Sequence, residues 1–331
     1  MQQPGEVTWL TDEEVAQRLR ELREDGTAWL GREFAGQFSL AGAQAKTALL
    51  FEDGRWGVPS GSAATSHILK PAVQGFDDHD LNEHLCLEAA RRAGLVGART
   101  RVARFGEESA IVIDRYDRRA VEGKLVRIHQ EDTCQALGIP PDRKYQNEGG
   151  PSTRDLATLF RTVMSPSAAE DAVWRFLDAL IWNWLIAGTD AHAKNYSLLM
   201  SGGDVRLAPM YDIASALPYD KDERELKFAM KIGDDYRVYP HHNTWDRAAV
   251  DLSLDPDVVR ERVVRLALIA PDVFADAANE PDVLALNRPL SKRLVDQVAD
   301  RAKRCLAVLQ VAGGRTVRLT SPSSRSRKTI P

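Results

Sequence analysis

The segment Gly188-Thr189-Asp190-Ala191-His192-Ala193-Lys194-Asn195 follows the most apolar run of the chain, Ala179 to Ala187, and polar density rises abruptly across it. An aspartate and an asparagine stand five positions apart there, and a second aspartate follows a hairpin pattern in Met210-Tyr211-Asp212-Ile213. This set suits phosphoryl transfer. One carboxylate orients the attacking hydroxyl and accepts its proton, while an asparagine and a second carboxylate offer oxygens to magnesium on the nucleotide phosphates. On that reading Asp190 is the base and Asn195 and Asp212 are the metal ligands. His192 and Lys194 lie in the same loop beside the nucleotide, with His192 orienting the loop through hydrogen bonds. An isolated Asp/Asn pair is more often a turn cap with a left-handed asparagine; the second aspartate beyond the hairpin is what favours chemistry.

A second group lies nearer the start. In FSLAGAQAKT, Phe38 to Thr47, the small residues Ala41, Gly42 and Ala43 and then Gln44 precede a strand opened by Lys46. Small residues let backbone N–H groups approach phosphate oxygens. The stretch is no Walker A loop, because Ala45 stands where glycine must precede the lysine and a strand follows where that motif needs a helix. Taken alone it is an ordinary turn into a strand. Lys70 ends a strand just before Pro71, where its ammonium can enter a cleft, and a strand-borne lysine on nucleotide phosphates is what a kinase-type fold needs. Glu83 is a candidate to hold that lysine, although helix capping explains it equally well. Asp114-Arg115-Tyr116-Asp117 closes another strand, either as a solvated strand end or as a crossing segment whose backbone meets an adenine edge. A histidine metal site is disfavoured: His79 and His84 lack the i, i+4 spacing of a helical pair, and adjacent His241 and His242 point apart.

The elements that must position these residues change character along the chain. Residues 11 to 24 predict a helix, with Thr11 and Glu14 forming a capping box, Val15, Leu19 and Leu22 on one face, and Gly26 ending it. Strands follow at 46 to 51 and 56 to 58, joined across Asp53-Gly54, and at 66 to 70, 99 to 105, 109 to 116 and 124 to 129. One helix interrupts them, with Asp80 as its cap, Glu83 at the reciprocal position and Gly94 at its end. After Gly149-Gly150-Pro151 the periodicity is helical at 154 to 164, 168 to 187, 255 to 270 and 290 to 311, broken by a hairpin, Ser197 to Met200 and Val205 to Ala208, turned at Gly202-Gly203.

The 331 residues allow two compact domains or one large one split by a cleft. Forty-four basic against 48 acidic residues give a net charge of -4, which lacks the positive field of a general nucleic-acid binder. The 3 cysteines, Cys86, Cys134 and Cys305, form no CxxC pair, so neither a disulfide framework nor a thiolate zinc site is expected, and a reducing cytoplasm fits. No apolar run is long enough to suggest a membrane span. The expected organisation is α+β, a strand-rich part followed by a helical one. A strand-rich lobe spans 1–150 with the Ser39/Gly42 loop and hairpins, a helical lobe spans 151–312, and a disordered basic tail spans 313–331.

With these segments assembled, the sequence resembles the HipA family of bacterial serine/threonine protein kinases, the toxins of toxin-antitoxin modules. FSLAGAQAKTALL, SHILKP, LNEHLCL, IVIDRYDR, HQEDTCQALG, KYQNEGGP, AGTDAHAKNYS and PMYDIASALPY run in family order over roughly residues 34 to 240. The resemblance implies a two-lobed, kinase-like fold that binds ATP and Mg2+ and phosphorylates a serine of a protein substrate, an aminoacyl-tRNA synthetase in known members, so that translation stops. It matches Asp190 to the catalytic aspartate, Asn195 and Asp212 to the magnesium ligands, Lys70 to the nucleotide-binding lysine, and Asp114 with Tyr116 to the segment around the adenine. Ser39 matches a serine whose autophosphorylation ejects the adjoining loop and switches the kinase off. Gln130, Glu131 and Asp132 match an acidic stretch without an assigned role. The partner implied is a helix-turn-helix antitoxin, with DNA reached only through it. Longer members carry an additional subdomain before the Ser39 loop, so a short form, or a chain start that is truncated, is expected. A catalytically silent corepressor module and a small-molecule phosphotransferase are the competing readings; the intact Asp190, Asn195, Asp212 and Lys70 speak against the first.

Overall fold

The structure, a computed structural model, describes residues 5–24, 44–73, 75–220, 222–239 and 244–312. Ser39, Ala41, Gly42 and Ala43, the helix stop at Gly26, His241 and His242, and the tail from 313 lie outside the described residues.

A six-stranded antiparallel sheet is built from β1 (Glu6–Leu10), β2 (Thr47–Glu52), β3 (Arg55–Ser60), β4 (His67–Pro71), β5 (Thr100–Phe105) and β6 (Glu108–Asp114), in the order β1-β3-β2-β4-β6-β5. Asp53 and Gly54 both adopt positive φ, 50° and 75°, which is the turn that matches strand twist in the β2–β3 hairpin. Strand β6 is buried on both faces, and its period of two divides the core. Ala110 and Val112 pack with Val15, Leu19 and Leu69 against α1 (Asp12–Glu24), while Ile111 and Ile113 join Leu81 and Leu85 of α2 (His79–Arg92). The capping box of α1 forms as expected, with Glu14 accepting from the Thr11 backbone N–H at 2.7 Å.

The start of α2 departs from expectation. Asp78, not Asp80, is the N-cap, in a left-handed conformation and without a side-chain capping bond. Asp80 is instead fully buried, accepting from Arg288 at 2.9 Å and from the Ser109 hydroxyl at 2.8 Å, and Glu83 is also buried. Sequence spacing makes Asp80 look like a cap and leaves Glu83 open between capping and holding Lys70, which it does. Tertiary pairing with residues distant in sequence takes them, because a buried carboxylate must find a cation or donor.

Between sheet and helices come the exposed hairpin β7 (Arg118–Val121) and β8 (Lys124–Arg127), then β9 (His129–Asp132) and α3 (Thr133–Ala136). The expected hairpin around Gly202-Gly203 is present as β10 (Ser197–Ser201) and β11 (Asp204–Leu207). It gains β9 as a third strand, so the run expected at 124–129 is two strands that pair in different places. The helices are α4 (Thr153–Val163), α5 (Pro166–Ile186), α6 (Thr244–Leu252), α7 (Pro256–Ala278), α8 (Pro281–Leu286) and α9 (Pro289–Ala312), with a further hairpin of β12 (Lys227–Ile232) and β13 (Asp235–Arg237). Helix α5 is the central element. Phe176, Trp182 and Trp184 are all buried, and the Trp182 indole N–H donates to the Cys86 carbonyl of α2 at 3.0 Å, which ties the helical core to the helix under the sheet. Among the described residues no helix is long and apolar enough to cross a membrane.

Helix α5 stops where the polar loop must start. Ala187 turns left-handed at φ 52°, and the Gly188 N–H closes on the Asn183 carbonyl at 2.8 Å. A Cβ on Gly188 would lie 2.2 Å from Asn183 Oδ1. Gly188→Ala is therefore expected to destabilise the fold by about 1–3 kcal/mol, read from urea unfolding; an unchanged midpoint would show that Asn183 can turn away at no cost.

Candidate active site

Lys70 and Glu83 come from different elements and meet in the interior. The alternation of β4 turns Leu69 towards α1 and Lys70 towards α2, and Glu83 lies on the turn of α2 that faces it. The Lys70 ammonium donates to Glu83 Oε1 at 2.8 Å and Oε2 at 3.1 Å, and to Asp212 Oδ1 at 2.8 Å. Burial disfavours the charge on Lys70, but Asp212 and Glu83 outweigh it and raise its pKa above the ordinary lysine value. Burial likewise works to raise Asp212, and the Lys70 charge and hydrogen bond, with Lys46 and His192, hold it down at about 2. Lys46 is pushed down to about 8, first by burial and then by the Lys70 charge, against the pull of Asp212 and Glu83.

Asp212 sits on a loop with a left-handed backbone, φ 57°, a conformation that aspartate tolerates better than most residues. Two clamps fix that loop. Asn82, one residue before Glu83, donates from Nδ2 to the Ser215 carbonyl at 2.8 Å and accepts the Ser215 N–H at 2.9 Å. On the other side, the Met210 N–H donates to the Val96 carbonyl and the Met210 carbonyl accepts from Ala98.

The polar loop after α5 folds into a short 3-10 turn, Ala193–Asn195. Asn195 Nδ2 donates to the Asp190 carbonyl at 2.8 Å and reaches the Asp212 carbonyl at 3.5 Å, so one side chain joins the two loops. With its nitrogen spent on carbonyls, Asn195 keeps Oδ1 as an available oxygen. Asp190 is the outermost member, its side chain 67% exposed. Its Oδ1 accepts from the Tyr145 hydroxyl at 2.9 Å, and its Oδ2 lies 3.9 Å from His192 Nε2. His192 is buried, which lowers its pKa and keeps the ring neutral at pH 7.

The remaining expected site residues occupy varied places. Gln44 donates to the Pro71 carbonyl at 3.5 Å, beside Lys70. Lys194 turns away from Asp190 and pairs with buried Asp132 at 2.6 Å, which is the place found for the unassigned acidic stretch. Asp114, at the end of β6, pairs with His67 at 3.3 Å, and that hydrogen bond lowers its pKa. Tyr116 lies 5.8 Å, centroid to centroid, from Tyr211, whose hydroxyl donates to the Lys194 carbonyl at 2.7 Å. Tyr145 had no role assigned from sequence; the only signal was its place in KYQNEGGP.

Among the described residues no three His, Cys, Asp or Glu side chains are grouped so as to hold a metal ion. Magnesium takes one or two protein oxygens and completes its shell with phosphates and water. The Asn195 Oδ1 and the carboxylate of Asp212 are such oxygens.

A family model described as the HipA-like C-terminal domain matches residues 38–274. "Putative kinase Y4mE" of Sinorhizobium fredii is 35% identical over 269 residues, covering 81% of this chain and 63% of that protein. "Serine/threonine-protein kinase toxin HipA" of Shewanella oneidensis is 30% identical over 278 residues, covering 80% of this chain and 62% of that protein. The chain thus spans less than two thirds of the length of these relatives. Among solved structures, the Shewanella oneidensis HipA in complex with HipB and operator DNA superposes with a TM-score of 0.77 at 24% identity, over 93% of this chain and 74% of that one. The Helicobacter pylori proinflammatory kinase CtkA gives a TM-score of 0.55 at 11% identity, over 84% and 94%. Both likenesses carry the fold, which is an α+β kinase-like one.

Since the folded-state pKa of Asp212 is depressed to about 2, its pairing contributes stability that is complete above its ordinary value of 3.8 and is lost as pH falls towards about 2. Denaturant midpoints are expected to fall more steeply between these limits for the wild type than for Asp212→Asn; parallel acid profiles would mean that the Lys70–Asp212 contact is absent in solution.

Proposed function

The chain belongs to the family of HipA-like C-terminal domains, and from that membership we propose that it is an ATP- and Mg2+-dependent protein serine/threonine kinase acting as a toxin. The observation that carries the reading is the convergence of Lys70, Glu83 and Asp212 beside the loop bearing Asp190 and Asn195. Lys70, Glu83 and Asp212 are held by elements that pack on the hydrophobic core.

In the proposed reaction Lys70, fixed by Glu83, stabilises the nucleotide phosphates, and Lys46 adds a second positive charge. Asp190 accepts the proton of a substrate serine hydroxyl as its oxygen bonds to the γ-phosphorus. The bond from that phosphorus to the β–γ bridging oxygen breaks, and ADP leaves. Asn195 and Asp212 would hold magnesium, which neutralises charge on the phosphates. Asp114 and Tyr116 are assigned to the adenine, Ala41, Gly42, Ala43, Gln44 and Lys194 to nucleotide binding, and Lys194 is paired with Asp132.

The family also supplies the biological proposal. The substrate is a serine of a protein, an aminoacyl-tRNA synthetase, so that phosphorylation arrests translation in the cytoplasm and favours persistence. Autophosphorylation of Ser39 ends the activity, since a phosphate adds close to two negative charges and three strong acceptors to a loop of small residues. A helix-turn-helix antitoxin is the proposed partner, supported by the relative crystallised with HipB and operator DNA.

Intact-mass and peptide mass spectrometry after incubation with ATP and Mg2+ tests the reading. Phosphate is expected on Ser39 of the wild type, and on neither Asp190→Asn nor Ser39→Ala; a phosphorylated Asp190→Asn protein would place the base elsewhere. A second test uses Lys46, whose pKa near 8 must rise when phosphates bind. Calorimetry at pH 8 in buffers of different ionisation enthalpy should show proton uptake with ATP, abolished in Lys46→Met, and affinity should weaken as pH climbs past about 8. Binding without proton exchange would remove Lys46 from the phosphate site.

A further inference from the structure

We infer that Tyr145 is a positioning residue for Asp190: its hydroxyl tethers one carboxylate oxygen so that the other is presented to the substrate hydroxyl. The inference rests on the kinase reading above and deepens it, since an exposed carboxylate has no alignment of its own.

The Asp190 side chain is 67% exposed. A free aspartate in that position samples several rotamers, and a general base must sit within hydrogen-bond reach of the proton it takes. The Tyr145 hydroxyl donates to Oδ1 at 2.9 Å and removes that freedom. Among the described residues Oδ2 makes no hydrogen bond, and it lies 3.9 Å from His192 Nε2. The histidine ring is kept neutral by burial and supports the tyrosine through an edge contact, with centroids 5.4 Å apart at 79°. One oxygen is thus held and the other is left for the substrate.

Tyr145 can act as a tether only if it is itself fixed, and the chain around it is built for that. The Glu148 and Gly150 N–H groups both donate to the Tyr145 carbonyl, at 3.0 and 2.9 Å. Gly149 has φ 90°, and a Cβ on Gly150 would lie 2.5 Å from the Arg143 carbonyl oxygen and 2.7 Å from that of Tyr145. Only glycine permits this fold-back. The segment is then tied to the loop it serves: the Lys144 carbonyl accepts from the Ala193 N–H at 3.4 Å. Gln146 Oε1 accepts from the Lys231 N–H at 2.7 Å, and the neighbouring Ala229 N–H donates to the Thr189 carbonyl at 3.1 Å. Strand β12 therefore grips both the tyrosine segment and the residue before Asp190, and holds them in one frame.

Tyr145→Phe keeps the ring against His192 and removes only the tether. The rate of phosphate transfer from labelled ATP is expected to fall about ten- to a hundredfold, with KM for ATP and the melting temperature as in the wild type. An unchanged rate overturns the inference, and so does a loss accompanied by weaker ATP binding or a lower melting temperature, which is what a merely structural tyrosine would give. A second measurement needs no activity. Burial first, and then the hydrogen bond and charge of Asp190, raise the Tyr145 pKa. In protein labelled with 13C at tyrosine Cζ, Asp190→Asn should shift the Tyr145 resonance and start its titration at lower pH; a resonance indifferent to Asp190→Asn overturns the tether. If the resonance responds and the wild type transfers no phosphate, the kinase reading fails while the tether stands.

Discussion

A lysine ammonium without water around it must be surrounded by oxygens, and much of the site follows from how Lys70 meets that condition. Desolvating a cation costs several kcal/mol, which one carboxylate repays only with good geometry. Here two carboxylates serve, Glu83 from the helix under the sheet and Asp212 from a loop more than a hundred residues later. The helix, the strand and the loop are thereby fixed relative to one another by charge as well as by packing. The same arrangement leaves Asp212 ionised far into acid, the state in which it can serve a cation.

Neutral hydrogen bonds do the finer placing. Asn82 and Glu83 are neighbours on α2, and the first clamps the backbone of the Asp212 loop while the second pairs with the lysine that contacts it. Asn195 performs the corresponding task between the Asp190 and Asp212 loops. In both cases an amide, able to donate and accept at once, sits where two irregular segments must stay in register without a ladder of their own.

The sequence made the strongly local features legible. The Thr11 capping box, the Asp53-Gly54 turn and the Gly202-Gly203 hairpin depend on residues within a few positions of one another, and all three are found. Asp190, Asn195 and Asp212 stood out because their residue types are unusual together, and the structure brings their two loops into contact. What spacing could not show was long-range pairing. Asp80 satisfies the helix-capping pattern, yet its partners are Arg288 and Ser109; Glu83, open to reading either as a cap or as the holder of Lys70, pairs with Lys70. Lys194, expected beside the nucleotide, has a partner in Asp132 that spacing did not reveal. Strands β9 and β12 were missed because each is short and draws its reason for being extended from elsewhere: β9 from pairing with β10, β12 from a bulged hairpin that also bonds the loop bearing Asp190. Tyr145 was missed because a tyrosine in a glycine-rich turn carries no signature of the carboxylate it will meet.

The alternation of β4 and β6 has a meaning beyond the core it builds. Lys70 faces Ile111 and Leu69 faces Val112 across the ladder, and each pair points to a different hydrophobic cluster. A slip of one residue would carry Leu69 to Glu83 and drive a charged ammonium among Val15 and Leu19. Misalignment would thus be penalised twice, once in lost apolar contact and once in an orphaned charge. Hydrophobic patterning acts here as an error check on chemistry: a chain that has closed its sheet correctly has, by the same event, delivered its lysine to the right side.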